Sequence, residues 1–373
     1  MKRMAAFCLF LALCLCASGA LAQLGFAEVA KDSVNLRKSP GGEVITRLPA
    51  GRSVYVMEEQ EKGDQRWCRV YTYIGKEPRS GYIRADMLRM LDDEFHDVVS
   101  VEAGDMYVLG LRADGTVAIM GDDMPHSPCL AAVRGWTDMA QVCSYSVGVH
   151  GITREGVIRA AGKKAAGTEG LHASRIGGRI GFPIDGNDEM MIEAWALSFP
   201  EGALTDLPEW LRGVRVRELL GGETDPYAAL TMDGQVLIDA NWAGFELGVR
   251  HEAFVNGPYV DLDMHFGILA ALRADGRVDA TGWVTPGDTV RAAAACATEG
   301  FTDVVKVEAG LDFVLGLRAD GTVCFAGADE GHAAQVRALR DVVDIAAGSR
   351  FAIALLADGS VVMTGEYTEE YFR

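Results

Sequence analysis

Val98-Val99-Ser100-Val101-Glu102-Ala103-Gly104, followed by Tyr107 to Gly121 reading Y-V-L-G-L-R-A-D-G-T-V-A-I-M-G, returns almost unchanged about two hundred residues later as Val304 to Gly327. The recurrence is not confined to two copies. An Asp-Gly or Glu-Gly pair stands at Asp114-Gly115, Glu155-Gly156, Asp233-Gly234, Asp275-Gly276, Asp320-Gly321 and Asp358-Gly359, each three residues after a Leu or Ile. Phe95 to Gly121 slides without a gap onto Trp136 to Gly162 and onto Phe301 to Gly327, and from its third position onto Asp341 to Gly365. Pro258 to Gly282 fits more loosely, and Leu211 to Asn241 needs a small shift near Gly221. Self-similarity at a fixed period of this length is the signature of a repeat architecture.

One unit can be taken apart physically. Val98 to Val101 predicts an apolar strand, Ala103-Gly104 a turn, Tyr107 to Leu111 a second strand and Val117 to Met120 a third. Asp114-Gly115 between the last two supplies the positive φ that a tight hairpin needs. Most strand positions are apolar instead of alternating, which suits a sheet covered on both faces by neighbouring copies. Units of about 40 residues, each a small antiparallel sheet repeated around an axis, predict an all-β propeller over residues 95–373. The step from Gly156 to Gly234 is about twice the usual one, so a degenerate copy is placed there, around Trp195 to Gly202. That gives seven blades, with six as the alternative. The repeat V-x-A-G-x-x-Y/F-x-x-x-L-x-x-D-G-x-V-x-x-x-G, led in by Phe95 or Trp136, resembles that of the regulator of chromosome condensation family of propellers in its short bacterial form. A secreted bacterial β-lactamase-inhibitor propeller belongs to the same superfamily. This resemblance implies the fold and leaves function open, since such propellers serve as exchange factors, chromatin binders and hydrolase inhibitors.

Residues 28–91 follow a different pattern. Ser39-Pro40-Gly41-Gly42 and Pro49-Ala50-Gly51 are turn sequences, and Val54, Val56, Val70 and Ile83 sit among polar neighbours as in half-buried strands. Val34-Asn35-Leu36-Arg37, Gly51, Trp67-Cys68-Arg69-Val70, Gly81-Tyr82-Ile83 and Leu88, in that order, resemble the bacterial SH3-like domain of cell-envelope proteins. The family usually shows Trp where Tyr82 stands. The resemblance implies a small barrel that targets wall or envelope peptides. The acidic run Asp92-Asp93-Glu94 separates it from the repeats.

Ahead of both, Lys2 and Arg3, an apolar run from Met4 to Ala17, and Ala20-Leu21-Ala22 before Gln23 compose a secretory signal peptide, residues 1–22, with cleavage expected after Ala22. The run is shorter than the roughly 20 residues of a spanning helix and no later one reaches that length, so no transmembrane anchor is expected. Cys14 and Cys16 each follow a Leu, which disfavours a lipid anchor. Cleavage leaves Cys68, Cys129, Cys143, Cys296 and Cys324. An odd set leaves at least one thiol unpaired, and their spacing fits no zinc site, so buried inert thiols are expected.

The net charge is −18 and becomes −20 without Lys2 and Arg3. From Leu24 to Leu91 there are 12 basic and 9 acidic residues, so the excess of negative charge lies wholly in the repeats. An acidic body repels phosphate backbones, and nucleic acid is not expected as a partner.

The sequence offers little for catalysis. Seven histidines are scattered without ligand spacing, and neither a nucleophile elbow nor a phosphate-cradling loop is present. Asp185-Gly186-Asn187-Asp188-Glu189 concentrates oxygen ligands but lacks the spacing of a calcium loop, and a solvated turn accounts for it. The repeated aspartates are explained by hairpin geometry. No cofactor, metal or catalytic residue is therefore assigned. Candidate ligand-binding residues are aromatic: Trp67, Tyr71 and Tyr73 in the small module, and Trp242, Phe245 and Trp283 where the repeats break down into variable connections. The expectation is a secreted, non-enzymatic binding protein, its SH3-like module on a cell-wall peptide or envelope component and its propeller on an unidentified protein partner. The alternatives are a propeller lyase or hydrolase on envelope glycans with loop-borne carboxylates such as Glu193 or Asp263, and an inhibitor of a secreted hydrolase.

Overall fold

The computed structural model describes residues 25–74, 77–121, 129–145, 148–162, 168–177, 182–191, 208–221, 226–239, 251–265, 267–282 and 289–365. They fall into two compact units, one of the residues up to Asp93 together with those from Val362, the other Glu94–Val361.

In the first unit, β1 (Gly25–Val29), β2 (Val34–Arg37), β3 (Val44–Leu48), β4 (Ser53–Lys62), β5 (Gln65–Ile74), β6 (Glu77–Arg84) and β7 (Leu88–Met90) form one antiparallel sheet in the order β3-β2-β6-β5-β4-β1-β7. Its core gathers Leu36, Val54, Val56, Val70 and Ile83 with Cys68. Burying each such aliphatic side chain is worth about 1.5–3 kcal/mol. Residues alternating with them face the other way: in β2, Val34 and Leu36 are buried while Asn35 and Arg37 are half-buried.

The second unit is a β-propeller built of small antiparallel sheets. They are β8 (Val98–Ala103), β9 (Tyr107–Arg112) and β10 (Val117–Gly121); β11 (Met139–Tyr145), β12 (Gly148–Thr153) and β13 (Ile158–Gly162); β14 (Arg175–Gly177) and β15 (Phe182–Ile184). Next come β16 (Val216–Gly221), β17 (Pro226–Thr231) and β18 (Val236–Ile238); β19 (Tyr259–His265), β20 (Ile268–Arg273) and β21 (Val278–Gly282). Last are β22 (Val304–Ala309), β23 (Phe313–Arg318) and β24 (Val323–Gly327), then β25 (Val342–Ala347) paired with β26 (Phe351–Leu356). The first strands of successive sheets touch one another in sequence order, and β25 returns to touch β8, so the ring closes. The strand at the middle of each sheet is covered on both faces, as its unbroken apolar sequence requires: Val108 and Leu109, on opposite faces of β9, are both 0% exposed. Each core lies between two sheets. One combines Leu109, Leu111 and Ile119 of the first sheet with Met139, Val142 and Val149 of the second.

The centre of the expected degenerate copy, 195–202, lies outside the described residues. The sheet that fills the double step is β14-β15, one segment earlier. Its closing turn is the acidic run weighed above as a calcium loop. Asp185 Oδ1 accepts from the Asn187 and Glu189 amides at 2.8 and 2.9 Å, and Asp188 pairs with Arg175 at 2.5 Å.

The Asp-Gly hairpins differ in detail from a two-residue turn with positive φ at both centres. Only the glycine is left-handed, at φ 87° for Gly115 and 78° for Gly321. Gly115 N–H donates to Arg112 O and Arg112 N–H to Thr116 O, which makes a three-residue loop ending in a left-handed glycine. The aspartate is an acceptor: Asp114 Oδ1 takes the Thr116 amide at 2.9 Å and its hydroxyl at 2.7 Å. Asp320 and Asp358 repeat this with Thr322 and Ser360. These hydrogen bonds hold all three carboxyls below the usual carboxylate range.

The glycine has a second task. Its carbonyl accepts from the first strand of the next sheet: Met139 N–H to Gly115 O, Tyr259 N–H to Gly234 O, Val304 N–H to Gly276 O and Val342 N–H to Gly321 O. The backbones approach so closely that a Cβ on Gly115 would stand 2.9 Å from Asp138 Cα. The hairpin is therefore a joint between blades as well as a turn within one.

A further set of joints runs along the first strands, where carboxylates accept amides of the following sheet. Glu218 takes Leu262 N–H at 3.3 Å, Asp261 takes Val307 at 2.8 Å, Asp263 takes Ala309 at 2.7 Å and Glu308 takes Ala347 at 3.3 Å. Asp344 takes Val101 N–H at 3.0 Å and so links the last sheet to the first. Burial raises the carboxyl pKa of Glu218 and of Asp261. Where the carboxylate is ionised, as for Asp344 beside Lys306, such a bond contributes about 1.5–3 kcal/mol, because its loss strands a buried amide.

Cys68, Cys143, Cys296 and Cys324 are free thiols. Burial pushes Cys68 up to about 12 and Cys296 up to about 11, and Cys143 and Cys324 upward as well. Such thiols hold their protons and react poorly.

Candidate functional site

A cavity of about 410 Å³ opens on the first unit, lined by Lys31, Asp32, Ser33, Val34, Asn35, Arg37, Gly41, Gln65, Trp67, Arg84 and Met87. Three structural facts assemble it. Asn35 and Arg37 share one face of β2 by the alternation of a strand, and Gln65 and Trp67 share one face of β5 in the same way. β6 lies between these two strands and sets Arg84 opposite Trp67. The link from β1 to β2 turns through Ser33 at φ 60° and brings Lys31 and Asp32 to the rim.

The polar groups of this cavity are unevenly satisfied. Arg37 donates to Gly42 O at 2.7 Å, Arg84 is held by Asp86 through Nε at 2.7 Å, and Asp32 accepts the Ala50 amide at 3.0 Å. Its hydrogen bond from Arg84 keeps the Asp86 carboxyl below the usual range. By contrast Trp67, only 5% exposed, has an indole Nε1 with no hydrogen-bond partner among the described residues, and Asn35 Oδ1 has none either. A buried donor or acceptor left unmade costs about 1–3 kcal/mol, so native folds rarely keep two in one place. Here the two residues that carry this donor and this acceptor line the same cavity, beside three cations and one carboxylate, and the two unmade atoms are themselves buried. The arrangement suits a ligand offering an acceptor to the indole, a donor to the amide and a negative charge to Lys31, Arg37 and Arg84, with the Trp67 ring and Met87 for apolar contact.

Of the aromatic residues expected to bind, the structure brings Trp67 to this cavity. Tyr71 is 3% exposed and Tyr73 is half-buried; their rings meet edge to face at 5.8 Å, and neither lines the cavity. Trp242, Phe245 and Trp283 lie outside the described residues. Asn35, Arg37, Gln65 and Arg84 were not singled out as ligand contacts from the sequence. The signal was present, since in V-N-L-R the apolar residues define the core face and leave Asn35 and Arg37 together on the other.

The propeller holds buried polar residues of another kind. Asp105, His265 and Ser349 meet where Ser349 Oγ stands 2.9 Å from Asp105 Oδ1 and 3.1 Å from His265 Nε2. The residue types are those of a nucleophilic triad, but the order is not. The carboxylate, 3.8 Å from Nε2, shares with the serine a single imidazole nitrogen, whereas a relay needs it on Nδ1. All three side chains are buried, and they tie together β25's sheet, β8's sheet and β19. Of the carboxylates named for a glycan-cleaving enzyme, Glu193 lies outside the described residues and Asp263 holds the Ala309 amide.

Residues 342–366 match the regulator of chromosome condensation (RCC1) repeat. No curated protein matches the chain in sequence. Among solved structures, the chain is similar to the CRINKLY WD40 ectodomain of the Arabidopsis thaliana receptor kinase ACR4, at 11% identity over 91% of this chain and 96% of that one, with a TM-score of 0.37. It is also similar to human WBSCR16, at 13% identity over 92% and 99% with a TM-score of 0.36. Prp20p of Saccharomyces cerevisiae, described with its binding to Gsp1p and histones, aligns at 10% identity over 86% and 68% with a TM-score of 0.26.

Proposed function

We propose that this chain is a secreted, non-enzymatic binding protein in which an SH3-like module holds an envelope or cell-wall peptide and a seven-bladed propeller serves as a scaffold for a protein partner. The observation that carries the first half is the cavity at Trp67, with its unmade indole and amide hydrogen bonds among three cations. A short peptide ending in a free carboxylate answers each of them: its carboxylate meets the cations, a carbonyl accepts from Nε1 and an amide donates to Asn35. The resemblance of Val34 to Arg37 and Trp67 to Val70 to the SH3-like family favours a wall peptide as the source. For the second half, the support is a closed ring of sheets whose buried carboxylates are committed to the frame, together with the RCC1 repeat match. Seven blades follow from counting β14-β15 as one of them. Residues 1–22 direct export and are removed in this reading, so the mature chain begins at Gln23.

The test is calorimetric titration of the chain from Gln23 with a muropeptide bearing a free carboxylate. Binding is expected, and Trp67→Phe, which keeps an aromatic ring but removes the indole N–H, is expected to weaken it about tenfold, the equivalent of one hydrogen bond of about 1.4 kcal/mol. Equal affinity in the two proteins, or a wild type that binds no muropeptide, would exclude this use of the cavity.

A further inference from the structure

Six first strands of the propeller carry the same irregularity. Pairing with the second strand shifts between Val98 and Ser100, Met139 and Gln141, Val216 and Glu218, Tyr259 and Asp261, Val304 and Lys306, and Val342 and Asp344. Each shift is a bulge whose extra residue is left outside the ladder. The extra residues are Val99, Ala140, Arg217, Val260, Val305 and Val343. Seven large apolar side chains are exposed among the described residues, and four of them are these bulge valines: Val99 at 56%, Val305 at 55%, Val343 at 54% and Val260 at 37%. The bulge itself does not demand an apolar residue, since Arg217 holds the same place. β-Propensity does not demand one either, because Thr is also β-branched and is absent from all six positions.

The placement is as regular as the composition. β19, β22, β25, β8 and β11 follow one another in contact around the ring, so Val260, Val305, Val343, Val99 and Ala140 form an apolar arc across five consecutive blades. Two residues ahead of four members stand exposed aspartates in left-handed conformation, Asp97, Asp138, Asp303 and Asp341, at φ 56° to 61°. Asp and Asn tolerate that conformation better than other non-glycine residues. Their carbonyls accept from the hairpins, as in Ala113 N–H to Asp97 O and Ala319 N–H to Asp303 O, so the exposed hairpin aspartates lie at the same end of each blade. Asp303 and Asp341 have no ion pair among the described residues.

We infer that this face of the propeller docks a protein segment that presents an apolar side chain surrounded by Lys or Arg. The inference rests on the scaffold reading above and adds which face is used and what chemistry fits it. An apolar arc bordered by exposed aspartates, of which Asp138 is paired with Arg154 while Asp303 and Asp341 have no ion pair among the described residues, favours a basic amphipathic partner and disfavours an anionic membrane, a nucleic acid or a second copy of the same acidic face.

The chain from Gln23 is titrated with a fluorescein-labelled 18-residue Lys/Leu amphipathic peptide, and with a Glu/Leu peptide of the same pattern, by anisotropy at 50 and 300 mM NaCl. Binding of the Lys/Leu peptide alone is expected, weaker at the higher salt. The triple variant Val99→Ser, Val305→Ser, Val343→Ser is expected to lose at least tenfold in affinity, with its fold checked by circular dichroism. The double variant Val255→Ser, Val290→Ser, which removes exposed valines outside the arc, is expected to bind as the wild type does. Unchanged binding by the triple variant would overturn the assignment of the face and leave the scaffold reading standing. Failure of the wild type to bind the Lys/Leu peptide would overturn the proposed partner chemistry, and a wild-type dimer dissociated by the three serines would show the occupant to be a second copy.

Discussion

Asp344 closes the ring, and its removal should open one particular seam. Its carboxylate accepts the Val101 amide of the first sheet at 3.0 Å and the Lys306 ammonium at 2.7 Å. In Asp344→Ala the buried Val101 amide loses a charge-assisted acceptor, worth about 1.5–3 kcal/mol. Lys306 loses one carboxylate but keeps Glu308 at 3.2 Å and the Ile345 carbonyl at 2.7 Å, and its side chain is 30% exposed. Its loss therefore falls below the roughly 3–5 kcal/mol of a fully buried broken pair, and about 1 kcal/mol is reasonable. The total is about 3 kcal/mol. Asp344→Asn keeps an acceptor for Val101 and should cost about 1–2 kcal/mol. Urea denaturation gives the global values, and hydrogen exchange on the peptide spanning Val98–Ala103 gives the local one. Protection there should fall in Asp344→Ala, while the peptide spanning Val304–Ala309, held by Asp261 and Asp263, stays protected. If Val98–Ala103 keeps its protection although global stability drops, Asp344 acts through Lys306 alone and the seam argument fails.

The hairpin joints make a paired prediction. Gly115→Ala should destabilise by more than Gly359→Ala, because both incur the left-handed penalty of about 1–2 kcal/mol but only Gly115 has a neighbouring blade within 3 Å of the new Cβ; equal melting temperatures would remove the joint. His332, packed at 4.8 and 4.9 Å from the Phe313 and Phe325 rings, is lowered by burial to about 4. A depressed imidazole leaves the unfolded chain binding the proton first, so stability present above pH 6.5 is lost as pH falls toward 4, by up to roughly 3 kcal/mol. His332→Phe should flatten that part of the urea-midpoint profile, and an unchanged slope would contradict the assignment. Glu218 has the opposite sign: its raised carboxyl favours the folded state when protonated, so its contribution declines as pH rises from the ordinary 4.5 through the raised value. Glu218→Gln should therefore gain stability relative to the wild type at pH 8, and a loss there would show the charged form to be the preferred one.

The repeat made the propeller legible because each blade states its strands and its hairpin in one line of sequence. Two features were not legible. Among the described residues the third sheet consists of β14 and β15, and its Asp185-Gly186 turn lacks the Leu or Ile three residues earlier that marks the other copies; Phe182 stands there instead. The carboxylates of the first strands read as loose acidity, since nothing local shows that Asp261 or Glu308 will meet an amide of another blade about 40 residues away. In the small module, aromatic content pointed to Trp67 but also to Tyr71, which packs inside. Exposure of a ring is set by which face the strand turns inward, and the V-N-L-R alternation carries that information better than aromatic residue type does.

The acidity of the propeller now divides by physical task. Hairpin aspartates such as Asp114 and Asp320 hold backbone amides, Asp97 and Asp303 tolerate a left-handed turn, and Asp261, Asp263 and Asp344 clasp neighbouring blades. None of these tasks concerns a partner, so the negative charge needs no ligand to explain it. The clasping group is buried and contributes little outside, whereas the other two groups are exposed at one end of several blades and add to the potential of that face. In the proposed docking, a face made acidic by its own turns selects a cationic partner before any contact is optimised. Among the described residues the bulge valines Val99, Val260, Val305 and Val343 stand exposed on it, and exchanging them alone should change binding without changing stability.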